Sequence, residues 1–440
     1  MKQKVIRLSP PQLLVVTFLF FIILGMGLLK LPFATTEHIS WLDALFTTTS
    51  AMTVTGLAVV DTGGAFTLFG EVVVMSLIQI GGLGIMSFAV LIFMMLGKKI
   101  GFKERLLLQQ ALNQTSIGGV IKLVKYLFIF SFIVEGFAVL LLATEWVPEF
   151  GWKRGLYVSI FHSISAFNNA GFSLFSDSLM GYVGSPIINL TISFLFILGG
   201  IGFTVLVDLW RSKTIRQLSL HTKIMVIGTF LINVIAFMMI FVLEFNNPNT
   251  LAQLPLSDKI FASYFQAVTP RTAGFNSLDY GSMERSTLLF TILLMFIGAG
   301  SASTGGGIKL TTFVVISLSM IAFLKEKRDI RIFRRTIDQA HIFKALALSM
   351  ISVLLVFTAL FFLEMTEHDV SFLSIVFEVV SAFGTVGLSM GITGSLSIAG
   401  KWIIIIVMFA GKLGPLTLAF SLSRPDKEKI RYPKEDILTG

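Results

Sequence analysis

The chain contains no cysteine, which excludes disulfides, thiolate metal sites and cysteine nucleophiles. It is also short of charge: only 13% of its residues are Asp, Glu, Lys or Arg, against about 25% in soluble domains. Its five histidines, His38, His162, His221, His341 and His368, are scattered, with no HExxH pair and no GxSxG elbow. These gaps argue against an enzyme. A phosphate-cradling fingerprint is missing too. The string GAGSASTGGG (Gly298–Gly307) lacks the Gly-Lys-Ser/Thr ending and lies inside an apolar run. The chain itself is therefore expected to carry no cofactor and no nucleotide.

What it has in excess is apolar surface. Hydrophobic residues make up 55% of the chain. The runs Leu13–Leu29, Ile187–Leu206, Ile224–Leu243 and Trp402–Phe409 contain no acidic or basic side chain. Several approach the roughly 20 residues that cross a hydrocarbon layer about 30 Å thick. An integral membrane protein follows. The run from Leu13 does not read as a cleavable signal, because Lys30, Leu31 and Pro32 follow it rather than a small-residue cleavage site.

A short string recurs four times: FTTTSAMTVTGL (Phe46–Leu57), FHSISAFNNAGF (Phe161–Phe172), YFQAVTPRTAGF (Tyr264–Phe275) and FEVVSAFGTVGL (Phe377–Leu388). Each copy pairs an aromatic residue with a later glycine: Phe46 with Gly56, Phe161 with Gly171, Tyr264 with Gly274, Phe377 with Gly387. The copies divide the chain into units 1–97, 98–210, 211–325 and 326–440. Each unit is expected to hold two spans, over 12–32 and 66–96, 118–143 and 186–209, 221–244 and 285–324, 342–365 and 398–422. The repeated string between them begins as a helix too short to cross, and so reads as a re-entrant half-helix. The expected fold is an all-α membrane protein. Four tandem helix/pore-loop/helix units, eight spanning helices and four re-entrant pore helices surround one central pore with pseudo-four-fold symmetry.

Charge sets the orientation. Basic residues gather at the ends of the chain and in the linkers between units: Lys98, Lys99, Lys103 and Arg105; Arg211, Lys213 and Arg216; Lys325, Lys327, Arg328, Arg331, Arg334 and Arg335. Acids such as Glu37, Asp43, Glu145, Asp258, Glu367 and Asp369 fall on the other side. By the positive-inside rule the linkers and both termini face the cytoplasm. This segregation explains the net charge of +9 without a nucleic-acid partner.

A cation crossing lipid must exchange its water for oxygen ligands, and backbone carbonyls supply them without a trapping charge. Glycine allows the positive φ that aiming them requires. The candidate ligands are Thr53, Val54, Thr55 and Gly56; Asn168, Asn169, Ala170 and Gly171; Arg271, Thr272, Ala273 and Gly274; Gly384, Thr385, Val386 and Gly387. A half-helix entering from outside points its negative C-terminal end at the same place. Arg271 in the ion path would repel cations. Its guanidinium is expected to turn away from the axis, towards an acid such as Asp279.

These four stretches resemble the selectivity filters of the Trk/Ktr/HKT superfamily of potassium transporters. The NNAGF and PRTAGF strings and the Gly-rich second spans bring the chain nearest to the membrane subunits of Ktr systems, of the KtrB and KtrD kind. The resemblance implies potassium uptake, often sodium-dependent, through a homodimer of pore subunits in the cell membrane. It implies a cytosolic octameric-ring partner that alone binds ATP or ADP and contacts the basic linkers. In the family the C-terminus, here RYPKEDILTG (Arg431–Gly440), takes part in the dimer contact. A less selective sodium/potassium channel is the alternative reading.

The third unit's second span is interrupted by five glycines within Met295–Phe313. Glycine, Ser and Thr weaken a helix interior, so this stretch is expected to unwind. The resemblance identifies 298–311 with an intramembrane gate loop. Its candidate residues are Gly298, Gly300, Ser301, Ser303, Thr304, Gly305, Gly306, Gly307 and Lys309, with Lys412 from the fourth unit. Lys412 stands in GKLGP (Gly411–Pro415) where the first two units read GGLG (Gly81–Gly84) and GGIG (Gly199–Gly202). The family commonly has a basic residue there. Glu135 lies mid-span and needs a partner that the sequence does not name.

Overall fold

The computed structural model describes residues 10–84, 87, 120–301, 303–327, 329–414 and 435. The basic residues Lys98, Lys99, Lys103, Arg105 and Arg328, the tail Arg431–Gly440 apart from Glu435, and the expected ends of the second and eighth spans lie outside the described residues.

The helices follow the apolar runs. In the first repeat, α1 (Pro10–Leu29) precedes the short α2 (Trp41–Met52), and α3 (Leu68–Leu83) follows. In the second, α4 (Val120–Phe167) is broken at Gly151, whose φ of 79° separates a long helix from the short one; α5 (Pro186–Ile201) and α6 (Phe203–Arg211) follow. The third holds α7 (Leu220–Glu244), short α8 (Leu256–Val268), α9 (Arg285–Phe296) and α10 (Leu310–Leu324). A two-stranded hairpin, Arg331–Ile332 with Arg335–Thr336, leads to α11 (Gln339–Glu364), short α12 (Phe372–Gly384) and α13 (Ile398–Leu413). Side chains at the N-caps fix several starts: Ser40, Ser185, Ser219, Ser371 and Ser397 each accept a hydrogen bond from a first-turn amide.

Burial is inverted relative to a soluble protein. The long helices present apolar side chains outward, such as Phe132, Phe230, Val242 and Phe357, while the short helices are enclosed. Phe46, Phe161 and Phe377 are buried, and so are Leu57, Phe172, Phe275 and Leu388 after the four glycines. An outer apolar surface around a buried core of short helices fits a lipid solvent.

The repeats are joined by one recurring contact. The second helix of each repeat packs on the short helix of the next: α3 on α4, α5 on α8, α9 on α12, and α13 back on α2. Polar links mark three of these joints. Arg154 lies 3.7 Å from Glu71, Ser193 Oγ lies 3.1 Å from the Tyr264 hydroxyl, and Lys401 donates to Asp43 at 2.7 Å. At the fourth, the Met295 carbonyl lies against Gly384. The order one, two, three, four, one closes on itself.

Four described helices, α1, the first part of α4, α7 and α11, are long and apolar enough to cross a bilayer, and a bent α5–α6 pair makes a fifth if counted as one span. α3, α5 and α13 each end at a glycine of positive φ, Gly84 (86°), Gly202 (105°) and Gly414 (83°), and α5 and α6 meet at 93°. A break like that expected for the third repeat is therefore described in the second as well, between α5 and α6.

Candidate functional site

Each short helix ends in a turn that its side chains do not advertise. In repeats one, two and four, an amide reaches back five residues to the helix: Thr55 to Ser50, Ala170 to Ser165 and Val386 to Ser381, each at 2.8 Å. This closure requires a left-handed residue just before it. That residue is Val54 (φ 49°), Asn169 (57°) or Thr385 (48°), and Thr272 (70°) takes the same position in repeat three. A left-handed residue other than glycine costs roughly 1–2 kcal/mol, so packing must hold Val54 and the two threonines there. Two residues later come Gly56 (94°), Gly171 (69°), Gly274 (79°) and Gly387 (89°).

These glycines pack against one another in ring order. A methyl group on Gly56 would strike the Ala170 carbonyl, and one on Gly387 would strike the Thr55 carbonyl. On Gly171 it would lie 3.0 Å from the Ala273 oxygen, and on Gly274 2.5 Å from the Val386 oxygen. All four glycines line one cavity of about 330 Å³, with Asp61 among its other residues. An adjoining cavity of about 340 Å³ is shared by Gly56 and Gly387 with Asp177, Asp279 and Ser389.

On the other side of the left-handed residues lies the loop between α9 and α10. It folds on itself, with Gly298 N donating to Ile308 O at 2.8 Å, and docks on α5 through Gly300 N to Gly200 O at 2.8 Å. It then grips the glycine stretches. Thr304 Oγ1 donates to Asn169 Oδ1 at 2.7 Å, and Gly306 N donates to Thr385 Oγ1 at 2.8 Å. Gly305 lies against the Thr272 side chain so closely that a methyl there would collide with it. Two ammonium groups hold the loop from beneath. Lys309 Nζ donates to Gly305 O at 2.6 Å, and Lys412 Nζ donates to Thr304 O at 2.5 Å.

The sequence profile of the TrkH family, described as cation transport proteins, matches residues 11–431. The chain belongs to the TrkH family. Its members are transporters, not enzymes. The TrkH-family chain is 59% identical over 437 residues to the Ktr system potassium uptake protein B of Bacillus subtilis, covering 99% of this chain and 98% of that one. It is 44% identical over 432 residues to the protein of the same name from Vibrio alginolyticus, covering 98% and 95%. It is 39% identical over 442 residues to the potassium/sodium uptake protein NtpJ of Enterococcus hirae, covering 99% and 98%. The fold matches the crystal structure of the potassium transporter TrkH from Vibrio parahaemolyticus with a TM-score of 0.73 at 23% identity, over 96% of this chain and 86% of that one.

Against this TrkH-family fold, the four glycines named from sequence come together at one cavity, and Thr304, Gly305 and Gly306 of the loop meet Asn169, Thr272 and Thr385. Arg271 departs in detail. Its side chain is buried and turned outwards, with Nη1 3.4 Å from Asn233 Oδ1 in α7 rather than near Asp279. Asp279 is already engaged with the Gly281 amide and the Ser282 hydroxyl. Glu135 gains the partner the sequence left open. Gln79 Nε2 donates to both carboxylate oxygens at 3.2 Å, and Asn168 Nδ2 donates to Gln79 Oε1 at 2.6 Å. Sequence reasoning missed Gln79, although a lone amide in an apolar run was a usable signal.

Proposed function

We propose that the chain is the membrane subunit of a potassium uptake system of the cell membrane, and that the four glycine stretches form its selectivity filter. The observation that carries this reading is the single cavity lined by Gly56, Gly171, Gly274 and Gly387 together. Carbonyls of Thr55, Ala170, Ala273 and Val386 beside those glycines replace the hydration shell of the ion. The short helices end beside them and lend the negative ends of their dipoles. Potassium as the cargo is favoured by the names of the relatives from Bacillus subtilis and Vibrio alginolyticus.

The loop 298–311 is the gate. It lies across three of the four stretches through Asn169, Thr272 and Thr385, and its two lysines add positive charge where a cation must pass. Opening requires the loop to leave these partners. In this reading the pore subunit is a homodimer with eight spans and cytoplasmic termini. A separate cytosolic ring that binds ATP or ADP drives the gate and contacts the basic linkers.

Ion flux into proteoliposomes tests the proposal. Potassium and rubidium should enter much faster than sodium. Equal entry of sodium would support the second reading, a less selective sodium/potassium pathway, which the name of the Enterococcus hirae relative favours. No saturable flux of any of the three ions would overturn both.

A further inference from the structure

The four glycine stretches are not held alike. In the second repeat His162 follows the aromatic Phe161. Its Nδ1 lies 2.9 Å from the Val158 carbonyl, so Nδ1 carries the proton. Nε2 therefore accepts from the hydroxyl of Ser173, 3.0 Å away and two residues past Gly171. The fourth repeat has the same arrangement in different chemistry. Glu378 follows Phe377, and its carboxylate accepts from Ser389 at 2.7 Å, again two residues past the glycine, and from Thr393 at 2.5 Å. Each serine hydroxyl also accepts the amide two residues on, Phe175 N at 2.9 Å and Gly391 N at 3.0 Å. His162 and Glu378 are fully buried.

The other two repeats cannot build this contact. The first has Thr47 and Ala58 at these positions, and the third has Phe265 and Asn276. The repeats neighbour one another in chain order around the ring, so the second and fourth stand opposite each other. Thus one opposed pair of stretches is bonded past its glycines to a side chain of its own short helix. In the third repeat Asn276 is held instead by backbone bonds to the second, its amide donating to Ser178 Oγ at 3.2 Å and its carbonyl accepting from Leu179 N at 3.0 Å.

We propose that the His162–Ser173 and Glu378–Ser389 contacts are two clasps that fix the distance across the ion path, and thereby its preference for potassium over sodium. The proposal rests on the filter reading above. His162 and Glu378 touch no ion in it; they are positioning residues that act through the serine hydroxyls. The physical demand is clear. Discrimination by carbonyl oxygens depends on how far they can close on a smaller cation. Hydrogen bonds to a buried carboxylate are short and strong, and a buried polar contact that is fully satisfied rigidifies its surroundings. Both serines line the cavities above the glycines, so the clasps restrain the outer end of each stretch.

The test uses the full-length protein in proteoliposomes, measuring initial rates of potassium and sodium entry. Ser173→Ala and Ser389→Ala should each lower the potassium-to-sodium ratio by about fivefold, the order expected when a buried hydrogen bond is lost. Ser389→Thr should restore it. Thr47→Val, in an unclasped repeat, should leave it unchanged. A purely structural role would reduce the yield of folded protein without moving the ratio. Should Ser389→Ala aggregate, Glu378→Gln keeps the shape of the site, and the same fall is expected of it. Wild-type ratios in folded Ser173→Ala and Ser389→Ala, or in folded Glu378→Gln, overturn the clasps. Gly387→Ala separates this from failure of the filter reading. If it transports and discriminates as wild type, the filter reading falls; if it is impaired while the serine variants are unaffected, only the clasps fall.

Discussion

The amide of Gly306 donates to Thr385 Oγ1 at 2.8 Å, joining the loop of the third repeat to the glycine stretch of the fourth. The bond is buried and links the proposed gate loop to the proposed filter.

Thr385→Val removes the acceptor and keeps both the β-branch and the left-handed backbone demand of φ 48°. Leaving the Gly306 amide unpaired in the closed state costs roughly 1–3 kcal/mol. The open state does not bear that cost, so the gate shifts towards open. Potassium flux without any cytosolic partner should rise several-fold. An unaltered rate in a folded variant removes this bond from the gating account.

Lys412 stands where the first two repeats have Gly82 and Gly200, and it donates to Thr304 O. Lys412→Met keeps much of the volume but removes both the charge and the donor. The barrier to a cation below the filter falls, and so does the restraint on the loop. Both effects act in the same direction, and potassium flux should increase by about tenfold, as expected when a coupling of roughly 1.4 kcal/mol is lost. A decrease, with normal folding, would mean that the ammonium organises the open state instead.

Much of this was legible in the sequence because four copies of one string constrain each other. A lone Gly56 reads as a turn; Gly56, Gly171, Gly274 and Gly387 read as a ring. The unwinding before Leu310 was equally open to view, since five glycines so close together weaken a helix. The left-handed residues were not. Val54, Asn169, Thr272 and Thr385 share no side-chain property, and the closing turn of the short helix imposes their conformation. The partner of Arg271 was missed for a related reason. Which face of α7 meets the third stretch depends on packing between spans, and nothing local in sequence reports that Asn233 rather than Asp279 lies within reach. The break at Gly202 was hidden because an apolar run looks continuous whether its helix bends or not.

Lys401 and Asp43 close the ring between the fourth and first repeats at 2.7 Å. Asp43 lies in the first turn of α2, outside the long apolar helices. Burial pushes its carboxyl up, but hydrogen bonds from Lys401 and Ser40, with the charge of Lys401, outweigh this and hold it below the ordinary carboxylate range. A carboxyl depressed in the folded state stabilises the fold above its unfolded value of about 3.9, and that contribution is lost as pH falls through the folded value. The melting temperature of the purified protein should therefore decline as pH drops from about 5 towards 3. Asp43→Asn should have a lower melting temperature at pH 7 and a flatter profile below pH 5. Parallel profiles for the two proteins would show that other groups dominate acid sensitivity.

A matched pair of glycines separates conformational need from composition. Gly27 lies within α1, and a methyl added there meets nothing within 4 Å. Gly56 holds φ at 94°, and the same methyl would strike the Ala170 carbonyl of the neighbouring stretch. Gly27→Ala gains helix propensity, up to about 1 kcal/mol, and should leave potassium flux unchanged while holding or raising the melting temperature. Gly56→Ala must either distort its own backbone or push the Ala170 carbonyl aside, and both displace oxygens that the ion needs. Flux should fall by at least about 100-fold, since roughly 3 kcal/mol of strain is set against the conducting geometry. The loss should occur in protein that still folds, because the neighbouring buried anchors Leu57 and Phe172 are untouched. Potassium entry at the wild-type rate through Gly56→Ala would mean that the four stretches do not line the ion path.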